Sequence, residues 1–373
     1  MNKFLLLLAP HIITISVGKY ILSKLVYSVV VLWGVITSIF FLFNVLPGDP
    51  AAIMLGQRAN KEQIEVIHKD LGLDLPIFTQ YFLYLNDLSP ISIHKTNDKN
   101  SHWYYDTEKY TGFTILPLGD KQIVLKVPYL RRSYISKRPV SDIILETLPE
   151  TAVLAFSSII IASVLGILLG ILAAIKFNTW YDKISLVLSV LGMAAPSFFV
   201  GLIIAWLFGY VLRDYTGLSP TGSLFELDVW EGEKLQLKNL ILPAVTLGIR
   251  PLAIVVQLMR SSLLDVMSQD YIRTARAKGL SFYTIIFKHA LKNALNPVVT
   301  AISGWFAGLM AGAVFVEYIF NWKGIGYEVY EALTKNDLPI VMGSTLVFAT
   351  IFVFTNMIVD IIYGFLDPRV RIK

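Results

Sequence analysis

The sequence predicts an all-α polytopic membrane protein carrying a small extracytoplasmic α+β cap. Three observations lead there. The 373 residues are 55% hydrophobic and only 16% charged, where soluble domains average roughly 25% charged residues; the mean hydropathy is +0.62. Six apolar stretches reach the roughly 20 residues that a bilayer crossing requires. One long polar loop, 47–147, separates the first stretch from the second and carries helix and strand patterns of its own.

The first span is Leu25–Leu46. Ahead of it, Lys3 and the run Phe4–Leu8 have the outline of a signal peptide, but Ala9-Pro10-His11 interrupts the run. Phe4–Val17 therefore reads as a retained interfacial segment or an extension of the first helix. In the long loop, Asn60-Lys61-Glu62-Gln63 has the form of a capping box opening a helix that ends at Gly72. Asp74 and Pro76 start a second helix, with Ile77, Phe78, Tyr81, Phe82 and Leu85 at helical spacing. The polar segment Asn86–Tyr110 follows, its His94 and His102 read as solvated. Phe113–Leu118, Gly119-Asp120 and Gln122–Val127 then predict a β-hairpin.

The remaining spans are Ala152–Ile175, Ile184–Leu212, Leu240–Leu263, Val298–Ile319 and Leu338–Leu366. The division that follows is 1–46 for the N-terminal segment and first span, 47–146 for the cap, 147–366 for the core and 367–373 for a tail. Lys and Arg in short loops set orientation. With the N-terminus inside, Lys3, Lys19, Lys24, Lys176, Lys183, Arg369, Arg371 and Lys373 share the cytoplasm. The chain is thus expected in the inner membrane with both termini cytoplasmic.

Several chemistries are excluded or unsupported. The chain has no cysteine, and its five histidines are scattered, so no metal site is assigned. No nucleophile–base–orienter set is evident, and no catalytic residue is assigned. A net charge of +5 without aromatic-basic interleaving argues against nucleic acid as a partner. The phosphate-binding pattern GxxxxGK[ST] is absent, so the chain cannot bind ATP by that route.

Two features lie inside spans. Gly304, Gly308 and Gly312 recur every four residues on the fifth span, as Gly166 and Gly170 do on the second. Such stripes let helix backbones approach; close packing is the preferred reading and is compatible with a smooth path-lining face. Arg250 lies about ten residues into the fourth span, near mid-bilayer at about 1.5 Å per residue. An intramembrane charge faces a cavity or a partner. A structural ion pair, for example with Asp360, is preferred over a cationic contact in a water-filled path. Glu317 and Asp360, near span ends, read as orienting contacts.

The densest signal is a polar island between two spans, Ser268–Asn296. Arg273, Arg276, Lys278, Lys288 and Lys292 stand there against the single acid Asp270. The pattern predicts a helix Tyr271–Lys278, a break at Gly279, and a second helix Phe282–Leu295 with Ser281 as N-cap.

Asp270-Tyr271-Ile272-Arg273-Thr274-Ala275-Arg276-Ala277-Lys278-Gly279-Leu280 resembles the so-called EAA loop of binding-protein-dependent ABC import permeases, in its dipeptide, oligopeptide and nickel branch. Leu46-Pro47-Gly48-Asp49-Pro50, Leu71-Gly72-Leu73-Asp74, Arg138-Pro139-Val140 and Thr147-Leu148-Pro149-Glu150-Thr151 are similar to the same branch. So are Glu317–Gly326, Asn356, Asp360, Tyr363 and Asp367-Pro368-Arg369-Val370-Arg371. The departures are Arg273 at the broader family's glutamate position, Leu291-Lys292 for its Leu-Pro, and Lys323 where the branch commonly has proline. Asn86–Leu130 has the look of an insertion.

The resemblance implies a six-helix type I importer permease. Tyr271, Arg273, Thr274, Ala275, Arg276, Ala277, Lys278, Gly279 and Leu280 would form the coupling helix that docks on a cytoplasmic ATPase. It further implies a second permease subunit (a paralogue or the same chain), two ATPase subunits that bind ATP and Mg, an extracytoplasmic solute-binding protein, and surrounding lipid. This chain itself would be a transport subunit, without enzyme activity and without a cofactor. Short peptides are the expected cargo; nickel or another small solute remains an alternative. A membrane-embedded enzyme, or an ATP-independent channel or secondary transporter, is the alternative of another class.

Overall fold

The computed structural model describes residues 3–45, 72–99, 101–228 and 232–366, with scattered positions between 61 and 69. The chain forms two compact units, one centred on 147–330 and the other on 22–146 with 331–353. Among the described residues, five helices are long and apolar enough to cross a membrane, and up to six if one bent pair counts as a span. The all-α polytopic expectation is borne out.

In the first unit, α3 (Val140–Ile175) contributes its part beyond 147. α4 (Trp180–Ala194) and α5 (Ser197–Ile204) follow, α5 running into the π-helical Ala205–Val211. A hairpin of β4 (Phe225–Asp228) and β5 (Gly232–Leu235) precedes α6 (Lys238–Met267). Then come α7 (Asp270–Ala277), the lead-in Phe282–Ala290, α8 (Leu291–Gly312), α9 (Val314–Phe320) and α10 (Ile325–Thr334) as far as Tyr330.

Two expected spans are redrawn. Ile184–Leu212 is not one straight helix, because α4 and the segment Ser197–Val211 meet at 111°. Pro196 is the cause: its ring keeps the preceding Ala195 extended, at φ −72° and ψ 132°. Val298–Ile319 is displaced the other way. The span runs Phe282–Ala311, continuous with the second helix of the basic island, and Val314–Phe320 is a separate short helix. Pro297 inside α8 does not end it, as neighbouring groups in a membrane bundle can satisfy the freed carbonyl.

The second unit holds most of α1 (Lys3–Val45), α2 (Ile77–Leu88), the strands of the cap and the start of α11 (Leu338–Leu366). α1 is a single helix, so Phe4–Val17 extends the first helix. α2 begins after Pro76 as expected, but Ile77, Phe78 and Phe82 are exposed. Its inward face is Tyr81, Tyr84 and Leu88, packed with Ile39, Phe40, Met342 and Leu346. The Tyr81 hydroxyl also lies 2.7 Å from Thr37 Oγ1. The capping box at Asn60 falls largely outside the described residues, as does the tail 367–373.

The hairpin is present as β2 (Gly112–Leu118) and β3 (Lys121–Lys126), turning at Gly119 with φ +60°. A strand absent from the sequence reading, β1 (Ile91–Lys95), pairs antiparallel with β3 and gives the order β1-β3-β2. This corrects the reading of His94 as solvated. Its side chain is 1% exposed, 3.0 Å from Ser92 Oγ, and packed on the rings of Tyr105 and Tyr110. Its neighbour His102 is half-buried against Gly72.

Candidate functional site

The basic island folds as a short amphipathic helix with a defined stop. α7 offers eight residues, of which only Ile272 and Ala275, three apart, are buried. They enter one apolar cluster with Ile171 of α3, Met259 and Leu263 of α6, Ile285 and Ala290 of the lead-in, and Ala294 of α8. The Asn293 amide donates to the Tyr271 hydroxyl at 2.8 Å, tying the helix across the turn to α8. Thr274 Oγ1 donates to the Asp270 carbonyl at 3.0 Å.

The exit is specified as closely. The Gly279 N–H donates to the Arg276 carbonyl at 2.9 Å, and Gly279 itself has φ +76°, a region costly to other residues. Ser281 caps the next helix as expected, its Oγ accepting the Thr284 N–H at 3.3 Å. What remains outward is Tyr271, Arg273, Thr274, Arg276, Ala277, Lys278, Gly279 and Leu280. Ala275 therefore packs on its own chain, and the smallness read as permitting outside contact serves the internal seam. Ile272, outside the set named for docking, is fully buried and anchors the helix together with Ala275.

A buried ion pair braces the same unit. Arg260 of α6 donates Nε to Asp182 Oδ1 at 2.5 Å and Nη2 to Oδ2 at 2.8 Å. Asp182 also accepts the Asn178 N–H at 2.9 Å, and Arg260 stacks over Phe177 at 5.4 Å. The loop between α3 and α4 is thereby attached to α6, seven residues before its end.

The small residues divide into two kinds. A Cβ on Gly166 would lie 2.6 Å from Val255 Cγ1, and one on Gly170 2.6 Å from Met259 Cβ. These two are the close-packing stripe, seating α3 on α6. A Cβ on Gly304 or Gly308 would meet nothing within 4 Å. Among the described residues the stripe on α8 has no packing neighbour at those two positions; the surroundings of Gly312 lie outside the described residues. Arg250 is exposed on α6 and forms no ion pair among the described residues, so the preferred pairing with Asp360 is not found.

Two separated motifs of the sequence meet in space. Thr151 Oγ1 accepts the Ile325 N–H at 2.8 Å, and the Trp322 indole donates to the Glu150 carbonyl at 2.9 Å. Glu317, fully buried, accepts the Tyr327 N–H at 3.0 Å. A Cβ on Gly324 would lie 2.3 Å from Thr151 Oγ1 and 2.4 Å from Glu317 Oε2. Glu317 thus orients the turn after α9, as expected. Lys323 fits that turn by donating to Asn321 Oδ1 at 3.0 Å and lying 3.9 Å from the Tyr327 ring.

Residues 166–372 match the family model described as binding-protein-dependent transport system inner membrane component, and residues 17–155 match its N-terminal companion. The chain belongs to that family. This binding-protein-dependent permease is 33% identical over 371 residues to the dipeptide transport system permease protein DppB of Alkalihalophilus pseudofirmus, across 94% of this chain and 99% of the relative. It is 31% identical to the glutathione transport system permease protein GsiC of Escherichia coli O6:H1, across 95% of this chain and 99% of the relative. A solved methionine ABC transporter, MetNI, aligns over 61% of the permease and 97% of that chain, at 18% identity and a TM-score of 0.46. The permease is a multi-pass membrane protein of the peptide branch and a transport subunit.

Proposed function

We propose that this permease subunit moves short peptides inward, with α7 as the docking helix for a cytoplasmic ATPase. One observation carries the reading: α7 presents Arg273, Arg276 and Lys278 outward while Ile272 and Ala275 are anchored among α3, α6 and α8. A partner gripping the cationic face would move those helices as a body, which a solvated loop would not allow. The cations offer charge-assisted hydrogen bonds to acidic groups of the partner.

In this reading ATP and Mg are bound by two partner ATPase subunits, and alternating access follows their closure. A second permease subunit completes the path, and Gly304 and Gly308 face either that subunit or the path itself. An extracytoplasmic binding protein delivers the cargo, and both termini lie in the cytoplasm. Peptide cargo is supported by the names of the dipeptide and glutathione relatives.

The test is uptake of labelled dipeptide into proteoliposomes holding the full transporter. Arg273→Glu with Arg276→Glu is expected to abolish ATPase co-purification and uptake together, while the permease stays folded. Uptake that persists undiminished without the ATPase subunits would falsify the reading.

A further inference from the structure

The cap unit holds an open cleft of about 890 Å³, lined by residues of that unit alone. Part of its wall is apolar: Phe40 and Phe43 at the end of α1, and Leu338 and Met342 at the start of α11. Elsewhere the wall mixes neutral polar and aromatic groups, among them Gln80, Tyr104 and Tyr129, with six cations, Lys69, Lys99, Lys109, Arg131, Arg132 and Lys137. Its two acids are already engaged within the cap. Asp87 accepts the Tyr110 hydroxyl at 2.6 Å and lies 3.6 Å from Lys109 Nζ. Asp106 accepts the Glu108 N–H at 2.8 Å. Lys99, Arg131, Arg132 and Lys137 form no ion pair among the described residues.

The cationic wall is a built element. The Val140 N–H donates to the Arg131 carbonyl at 3.0 Å and the Ser133 N–H to the Arg138 carbonyl at 3.0 Å, closing the loop on itself. Asp337 fastens it by accepting Ser133 Oγ at 2.5 Å and the Tyr134 N–H at 2.9 Å. Arg131 lies over the Tyr84 ring at 5.2 Å. Arg131 and Lys137 also have φ of +68° and +59°, a region that non-glycine residues seldom occupy. Strain of this kind, held by surrounding bonds, gathers at ligand clamps. Burial, reinforced by the Arg131 charge, holds the Lys109 ammonium below its usual pKa despite Asp87.

We propose that this cavity binds a phosphate-bearing anion, and that its source is the headgroup of an anionic phospholipid. Adjacent guanidinium forks on Arg131 and Arg132 match phosphate oxygens. The apolar wall belongs to the ends of two helices able to cross a membrane, where an acyl chain of the adjoining leaflet would lie. The volume falls in the range of small-molecule sites, about 300–1,000 Å³. A zwitterionic headgroup would bring its own cation into an already cationic wall.

The full-length chain, purified with its partner subunits, is titrated with dioleoylphosphatidylglycerol, dioleoylphosphatidylcholine or sodium phosphate and read by native mass spectrometry and thermal melting. Phosphatidylglycerol is expected to bind about tenfold tighter than phosphatidylcholine, about 1.4 kcal/mol. That preference falls to parity in Arg132→Gln/Lys137→Asn and to an intermediate value in Arg132→Lys, which keeps the charge but loses the fork. Phosphate binding that these variants abolish, with no preference between the lipids, would keep the anion site and overturn the lipid source. Binding of all three probes unaltered by the variants overturns the proposal. Should the double variant fail to fold, equal binding of the two lipids to the wild-type chain overturns the lipid assignment by itself.

Discussion

Arg260 and Asp182 face each other through two parallel hydrogen bonds, and the carboxylate side chain is only 3% exposed. Removing one partner strands the other in a poorly solvated site, whereas replacing both with apolar groups does not. Arg260→Ala should lower stability by about 3 kcal/mol. Asp182→Leu/Arg260→Met should recover most of that loss. Thermal melting of the detergent-purified permease decides it, and additive losses would refute the pairing.

Anchor and grip are separable in α7. Ile272→Ala removes a fully buried side chain from the seam with α3, α6 and α8 and should cost about 2–4 kcal/mol. Arg276→Glu, fully outward, should leave melting unchanged while weakening ATPase co-purification. If both variants melted alike, the division of α7 into two faces would be untenable.

The glycines provide a sharper contrast. Gly170→Ala forces a Cβ to 2.6 Å from Met259 Cβ and 2.8 Å from the Val256 carbonyl, an overpacking expected to cost about 1–3 kcal/mol. Gly304→Ala enters open space and should leave the melting of this subunit alone unchanged. Gly304→Leu should instead reduce transport, or assembly with the second permease. A melting loss in Gly304→Ala equal to that in Gly170→Ala would contradict the geometry.

The cap should be acid-sensitive. Burial, with help from the Lys126 charge, lowers the His94 pKa from 6.5 to about 4. Between those values the unfolded chain takes up a proton that the folded cap refuses. Stability is therefore full above about pH 6.5 and declines as pH falls toward about 4. Hydrogen-exchange protection factors for β1 and β3 amides should drop across that window in the wild type and stay flatter in His94→Gln. Equal slopes would remove His94 as the cause.

The spans were legible because twenty apolar residues in a row admit few other readings, and the helix α7 because its charges interrupt that run. The misses share a physical origin. β1 was hidden because its alternation is inverted: Ile91 and Ile93 face out while Ser92 and His94 are buried. The bend at Pro196 escapes a hydropathy scan, which is blind to the steric demand of a proline ring on the residue before it. The cost of an intramembrane charge argues for a partner to Arg250, yet the side chain is exposed. Asp182–Arg260 and Ser133–Asp337 lie 78 and 204 residues apart, and no local pattern announces such pairs. The small side chain of Ala275 signals close contact without saying with whom, and the contact is with its own chain.

The seam around Ile272 has a mechanical consequence. Because α7, α3 and α6 share one apolar cluster and α3 sits on α6 through Gly166 and Gly170, a load placed on α7 would reach both long helices through packed side chains. It would act as torque on a pair of rods held side by side, with the length of the helices as its lever arm.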